Sequence, residues 1–99
     1  MIRHIFIATF KSNISEEIKA EALNTFKNFS KDIPQVVNAK SGLSTGWIGA
    51  ANQVVLTVDF DSKADFDIYM KHPKHLELID KAQKIYFEST SFTVAQFEF

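Results

Sequence analysis

The segment that most constrains the fold of this 99-residue chain is its opening run of β-branched and aromatic residues, Ile2 to Phe10. The run is too short for a comfortable helix and is followed by Lys11-Ser12-Asn13, so it predicts a strand. One face of this strand would carry His4, Phe6, Ala8 and Phe10, and the other Ile5, Ile7 and Thr9. Both faces are mostly apolar, and both therefore need cover from other parts of the structure.

A helix is predicted after this strand. Ser15 supplies an N-cap oxygen, and the two glutamates that follow place negative charge in the first turn, where the helix dipole favours it. Apolar residues then recur at intervals of four and three and form a core-facing stripe: Ile18, Ala22, Phe26 and Phe29. Pro34 disfavours helical geometry at Ile33 and marks the end of the helix.

The middle of the chain predicts a hairpin. A second strand begins at Val36 to Lys40, and Gln53 to Phe60 alternates as a third strand. The three glycines of the chain lie between them, around Trp47, and indicate the flexible part of the molecule.

The rest of the sequence predicts one more helix and one more strand. Ser62 and Asp65 have the spacing of a capping box, and a helix follows that Pro73 interrupts before the helical period resumes. Phe92 to Phe99 predicts the closing strand. The order is thus β-α-β-β-α-β, the ferredoxin-like α+β arrangement, in which two helices cover one face of a four-stranded antiparallel sheet.

This arrangement leaves the second face of the sheet open in a single domain that spans residues 1–99. Because the first strand is apolar on both sides, an exposed apolar patch larger than the few hundred Å² typical of monomers would result. Phenylalanine accounts for 10 of the 99 residues, and those on predicted strands are more than one sheet face is expected to hide: Phe6, Phe10, Phe60, Phe92, Phe97 and Phe99. We therefore predict a homodimer in which two sheets face each other around a barrel-like interior.

Charge and composition exclude several classes of function. The 11 Lys and Arg residues against 12 Asp and Glu, with no basic run, argue against binding to nucleic acid or to an anionic membrane. The absence of cysteine excludes disulfides, thiolate catalysis and Cys-ligated metals. No segment approaches the roughly 20 apolar residues of a membrane-spanning helix, and no signal peptide is apparent, so a cytoplasmic protein without a membrane partner is expected.

Several segments together resemble the stress-responsive α/β-barrel (Dabb) domain family. They are Ile2 to Ile7, Ile33-Pro34, Val58 to Ser62 and, most specifically, the Tyr-x-x-His-Pro-x-His block from Tyr69 to His75. The resemblance covers essentially the whole chain and implies a dimeric ferredoxin-like α+β barrel. Some members of the family are linked to stress tolerance, and others resemble a plant polyketide cyclase that performs an aldol condensation without a cofactor.

Two candidate catalytic residues come from the most specific block. His75 and Tyr69 lie six residues apart around Pro73, where a kink or break can bring imidazole and phenol to one cavity. A neutral imidazole can accept a proton from a carbon next to a carbonyl, and a phenol can donate to the developing oxyanion. In cyclase-like relatives the matching residues hold these roles, so the resemblance implies His75 as general base and Tyr69 as oxyanion donor. Capping or packing roles are the alternative.

Five further residues are predicted to line a ligand cavity. His4 shares its strand face with Phe6 and either orients a ligand in the barrel or is a hydrogen-bonded core imidazole. Phe26 and Val54 stand where the resemblance places polar groups of the cyclase, which implies a more apolar pocket here. Trp47 either closes the barrel as a lid or packs on a neighbouring strand.

No metal and no cofactor is expected. His72 and His75 have the i, i+3 spacing of helical metal ligands, but Pro73 lies between them and no carboxylate completes the set. Three functions therefore stay open. They are binding of a small apolar or carbonyl-bearing molecule, a cofactor-independent cyclase, lyase or isomerase, and a non-catalytic stress-linked protein whose assembly is itself the function.

Overall fold

A computed structural model describes residues 1–99 and contains four strands and three helices. The strands are β1 (Ile2–Thr9), β2 (Asn38–Leu43), β3 (Gln53–Phe60) and β4 (Thr93–Glu98). The helices are α1 (Glu16–Asn28), α2 (Lys63–Lys71) and α3 (Pro73–Lys81); a 3₁₀ turn, Phe29–Asp32, follows α1, and a π-helical turn, Ala82–Tyr86, follows α3. The predicted β-α-β-β-α-β order is confirmed, with the second helix divided at Pro73.

Side chains cap the helices where the sequence places them. The Oγ of Ser15 accepts a hydrogen bond from the backbone N–H of Ile18 at 3.2 Å, and the Oγ of Ser62 accepts one from Asp65 at 3.1 Å. The last cap was not predicted: His72 is extended, and its Nδ1 accepts from the backbone N–H of Lys74 at 3.1 Å. His72 therefore stabilises the break before Pro73, which occupies the first turn of α3.

The sheet has the strand order β2-β3-β1-β4, and all neighbouring strands are antiparallel. His4 on the central strand β1 lies opposite Val58 of β3 and Gln96 of β4. The second strand begins at Asn38 rather than at Val36, because the backbone N–H of Val36 is bonded to the Ile33 carbonyl in a turn, at 3.2 Å. The glycine-bearing segment forms the loop of the β2–β3 hairpin.

The helices cover one face of the sheet, which we call the helix-side face; on β1 it is the face of His4, Phe6 and Ala8. Eight of the ten phenylalanines belong to the core on this side, six of them buried and two, Phe66 and Phe92, partly buried against it. Only Phe97 and Phe99 are largely exposed. The expectation that one side of the sheet cannot hide the six phenylalanines of the predicted strands is therefore wrong for Phe6, Phe10, Phe60 and Phe92. The reason is that aromatic rings from helices and strands pack edge to face in one layer, as Phe26 and Phe87 do at 5.6 Å and 87°.

The opposite face, which we call the open face, has a different character. Its apolar residues Ile5, Ile7 and Val55 are half-buried in the single chain. At one end, the guanidinium of Arg3 donates from Nε and Nη2 to the two carboxylate oxygens of Asp59 at 2.8 and 2.9 Å. This pairing holds the pKa of the buried Asp59 carboxyl below its usual range. The open face is thus an apolar stripe that ends in an ion pair.

None of the helices is long and apolar enough to cross a membrane.

Candidate functional site

A cavity of about 390 Å³ lies between the helix-side face of the sheet and helices α2 and α3. Eleven of its 15 lining residues are hydrophobic, with Tyr69 counted among them for its ring. The polar groups among the lining residues are few and come from both walls: His4 and Gln96 from the sheet, and Tyr69, His75 and Gln83 from the helical side. A largely apolar cavity of this size with a few convergent polar groups is typical of small-molecule sites.

The structure brings five of the seven predicted site residues together at this cavity: His4, Phe6, Phe26, Tyr69 and His75. The other two lie elsewhere. Val54 is fully buried in the core and does not line the cavity. Trp47 is 91% exposed in the β2–β3 loop, so in this protomer it neither closes the cavity nor packs on a neighbouring strand.

The position of the cavity also differs from the expected one. The sequence places His4 and Phe6 around the interior of a barrel between two sheets, but both side chains face the helices. Alternation along β1 shows which residues share a face, but it does not show which face the helices cover. The cavity therefore lies within the single chain rather than between two sheets.

His75 lies in the first turn of α3 and is only 5% exposed. Its Nδ1 is 3.1 Å from the backbone carbonyl oxygen of Met70, and a carbonyl can only accept, so Nδ1 carries the proton of the neutral ring. Burial lowers the pKa of His75, with the hydrogen bond to Met70 opposing this effect. The ring is therefore neutral at neutral pH, and its Nε2 holds an unshared electron pair.

Tyr69, near the end of α2, lies next to this imidazole, with the two ring centroids 4.4 Å apart. Its side chain is also flanked by Phe60 at 4.9 Å and Phe29 at 6.2 Å. Burial raises the pKa of the phenol, so the hydroxyl keeps its proton. This hydroxyl makes no hydrogen bond within the protein. It also retains some accessible surface, because Gln35 Oε1 is the only fully buried side-chain polar atom without a partner. It is a free donor at the cavity.

His4 lies on the sheet wall, with its ring centroid 5.5 Å from that of Phe66 and 6.3 Å from that of Tyr69. Burial, and secondly the nearby His75, lower the pKa of His4 to about 4. Its Nδ1 is 2.8 Å from Nε2 of Gln96 on β4. Both cavity imidazoles are thus neutral at neutral pH, and each is held through Nδ1.

Sequence reasoning missed two of these partners. Gln96 is opposite His4 only in the observed β1–β4 register, which alternation alone does not fix. The Met70 carbonyl reaches His75 because the chain breaks at His72, and no side-chain pattern indicates a backbone partner.

The arrangement can polarise a carbonyl and accept a proton beside it. Tyr69 offers a hydrogen to an oxygen, and the adjacent His75 Nε2 offers an electron pair to a proton. Both side chains are almost fully buried, Tyr69 being 1% and His75 5% exposed. No group of three or more His, Asp or Glu side chains is arranged to hold a metal ion.

The family model described as "Stress responsive A/B Barrel Domain" matches residues 2–98. No curated protein matches the chain.

Solved structures match the chain along its whole length. A dimeric ferredoxin-like protein of unknown function from Thermobifida fusca is 18% identical with a TM-score of 0.84, covering 99% of this chain and 90% of that one. A dimeric protein of unknown function and ferredoxin-like fold from Bacteroides fragilis is 22% identical with a TM-score of 0.78, covering 99% and 95%. A hydroxynitrile lyase from Passiflora edulis is 20% identical with a TM-score of 0.81, covering 97% and 90%. At these identities the likeness shows a shared fold.

Proposed function

The chain belongs to the stress responsive A/B barrel domain family, and on this basis we propose that it is a homodimer whose cavity binds a small, largely apolar molecule with a carbonyl group. One observation carries the ligand class. The rings of Tyr69 and His75 lie with their centroids 4.4 Å apart in a cavity whose other walls are mostly apolar, and the Tyr69 hydroxyl and His75 Nε2 have no partner within the protein.

The chemistry of the cavity supports this ligand class in two ways. Apolar walls favour an apolar body, because transfer from water stabilises by roughly 25 cal/mol per Å² of buried apolar surface. The Tyr69 hydroxyl then requires an acceptor, since a buried donor without a partner is costly. A carbonyl oxygen is such an acceptor, and it brings no charge into the cavity.

Paired probes test the proposal. We expect butyrophenone to bind, and Tyr69→Phe to weaken its binding about fivefold, which corresponds to one net hydrogen bond. Butylbenzene has the same carbon skeleton without the oxygen, and its affinity is expected to be the same for both proteins. Affinities are measured by NMR titration. Failure of butyrophenone to bind, or an equal loss for both probes, would contradict the proposed ligand class.

A second candidate function is cofactor-independent acid–base catalysis, as a cyclase, lyase or isomerase. It is favoured by the Met70 carbonyl, which fixes the proton of His75 on Nδ1 and leaves Nε2 as a base. In this reaction Nε2 takes a proton from the carbon next to a carbonyl, the C–H electron pair passes into an enolate, and Tyr69 donates a hydrogen bond to the oxygen. The likeness in fold to a hydroxynitrile lyase is consistent with such a role.

Hydrogen exchange isolates the proton-transfer step from any later chemistry. We expect the protein to accelerate exchange of the α-hydrogens of butyrophenone in D₂O, and His75→Gln to slow it by about 10²–10⁴-fold. His72→Asn is the matched control, because His72 caps α3 outside the cavity and asparagine can still cap. Wild-type exchange at the buffer rate would eliminate this candidate and leave binding alone.

The open face supports the homodimer. Ile5, Ile7 and Val55 form an apolar stripe there, and Phe97 and Phe99 are 48% and 59% exposed in the single chain. The Thermobifida fusca and Bacteroides fragilis proteins of the same fold are described as dimeric. Pairing of two open faces would remove the stripe from water.

Charge placed on this stripe tests the dimer. We expect Ile7→Lys to be folded by circular dichroism and monomeric by light scattering. Ile68→Lys makes the same exchange on α2, where the side chain is 47% exposed, and is expected to stay dimeric. A monomeric wild-type protein would overturn the proposed dimer.

The family description supports a link to the stress response, and a cytoplasmic location remains our expectation. Assembly itself becomes the favoured function if the dimer forms but neither ketone binding nor exchange is observed.

A further inference from the structure

Gln96 is a polar cavity residue with no part in the proposed chemistry of Tyr69 and His75. It lies on β4, directly opposite His4 on β1, and its Nε2 is 2.8 Å from Nδ1 of His4. An amide nitrogen carries two hydrogens and can only donate, so Nδ1 of His4 is the acceptor. In a neutral imidazole the single proton then resides on Nε2.

The Nε2–H of His4 is a second free donor at the cavity. It has no partner within the protein. The residue is only 5% exposed, but this nitrogen is not fully buried. The ring centroids of His4 and Tyr69 are 6.3 Å apart, so the two donors approach the cavity from its sheet wall and its helical wall. A ligand that carries two oxygens can give each of these donors its own acceptor.

We propose that Gln96 is a positioning residue that holds His4 as an Nε2–H donor, so that the cavity selects a ligand with two oxygen acceptors, one for Tyr69 and one for His4. The selection of a ligand rests on the proposed binding function, whereas the state of His4 does not. The amide nitrogen, rather than the amide oxygen, faces His4 and decides the outcome: a carboxylate at this position can only accept a hydrogen bond, and would draw the proton to Nδ1 and turn Nε2 into an acceptor.

NMR of protein labelled with nitrogen-15 in histidine reads the position of the proton without a ligand. At about pH 9, where imidazoles are neutral, we expect His4 protonated on Nε2 in the wild type and on Nδ1 in Gln96→Glu. His75 is the internal standard and stays protonated on Nδ1 in both. Gln83→Glu places a carboxylate elsewhere on the cavity lining, at a residue that makes no hydrogen bond to His4, and is expected to leave His4 protonated on Nε2. A wild-type His4 protonated on Nδ1, or no change in Gln96→Glu, would overturn the positioning role.

Matched ketones then test selection. Benzoylacetone has the carbon skeleton of butyrophenone with a second carbonyl, and phenacylacetone relates to valerophenone in the same way with a wider spacing. We expect at least one diketone to bind about fivefold more tightly than its monoketone, and Gln96→Glu to remove this preference. If neither diketone binds more tightly than its monoketone, the selection by His4 is overturned and the proposed ligand class is unaffected. Binding of none of the four compounds overturns the proposed ligand class together with the selection.

Discussion

Arg3 and His4 are adjacent in the sequence, yet they lie on opposite faces of the sheet and differ in charge state. On the open face, Arg3 is paired in two hydrogen bonds with Asp59, and 37% of its side chain still reaches solvent. On the helix-side face, His4 is 5% exposed and neutral, and its ring is held by the Gln96 amide. The two faces thus bury polar groups by different means.

The difference shows what each face can do. Where solvent remains on one side, an ion pair keeps its charges because water and the partner together offset desolvation. Where helices exclude water, the same cost suppresses ionisation and leaves neutral donors and acceptors. The first environment suits a surface that meets another subunit, and the second suits recognition of an uncharged ligand.

The largest effect that separates the two faces is expected from removing an aromatic ring. Phe87 is fully buried, 5.2 Å from Phe10 and 5.6 Å from Phe26 between ring centroids. Phe87→Ala is expected to lower the free energy of unfolding by about 3–5 kcal/mol. Phe99→Ala removes the same ring where it is 59% exposed, and is expected to cost less than about 1 kcal/mol.

Both variants are measured by urea denaturation in the Ile7→Lys background, so that subunit association does not contribute. Equal losses would show that the core extends over both faces and would contradict the difference between them.

An intermediate effect is expected from the titration of His4. Its pKa is about 4 in the folded chain against an ordinary value of 6.5, so the unfolded chain binds more protons between these two values. The contribution of His4 to the free energy of unfolding should therefore fall as the pH drops from 6.5 to 4 and stay constant below. The loss is on the order of 2 kcal/mol after solvent screening.

His4→Gln is expected to flatten the stability profile in this window. A small slope of the same sign should persist, because burial also lowers the pKa of His75. A profile unchanged by His4→Gln would mean that the folded chain accommodates a charged imidazole on the helix-side face.

The smallest effect is expected from Asp59, at more acid pH. Its pKa is lowered from 3.8 in the folded chain, chiefly by the hydrogen bonds from Arg3. The stability it contributes is thus fully present above 3.8 and is lost as the pH falls through the lower folded value. Asp59→Asn should remove this acid-side loss, whereas Asp61→Asn, a neighbouring exposed carboxyl, should keep it. An acid-side slope that survives Asp59→Asn would assign the loss to other carboxyl groups.

Local sequence signals predicted the fold well. Ser15 and Ser62 begin their helices because a hydroxyl placed before a helix satisfies a free backbone N–H, and Pro73 divides the second helix because it restricts the residue before it. These are short-range effects that depend on neighbours in the sequence. The expectation about how many phenylalanines one sheet face can hide was partly wrong, because composition does not show how rings from different elements share one layer.

The site was only partly accessible to sequence reasoning. The family resemblance and the alternation along β1 predicted His4, Tyr69 and His75 as site residues. Gln96 requires the pairing register of distant strands, which depends on the whole sheet. Trp47 was assigned to the cavity as the only tryptophan in a flexible loop, and the structure places it in solvent instead.

The pairing of β1 with β4 affects how the chain folds during synthesis. His4 and Gln96 are 92 positions apart in the sequence, and β4 follows every other element. A ribosome releases β1 first, so His4 lacks its amide partner until β4 has emerged and docked at the edge of the sheet. Contacts this distant in sequence also form slowly. A ligand that depends on both residues therefore binds only after β4 has paired with β1.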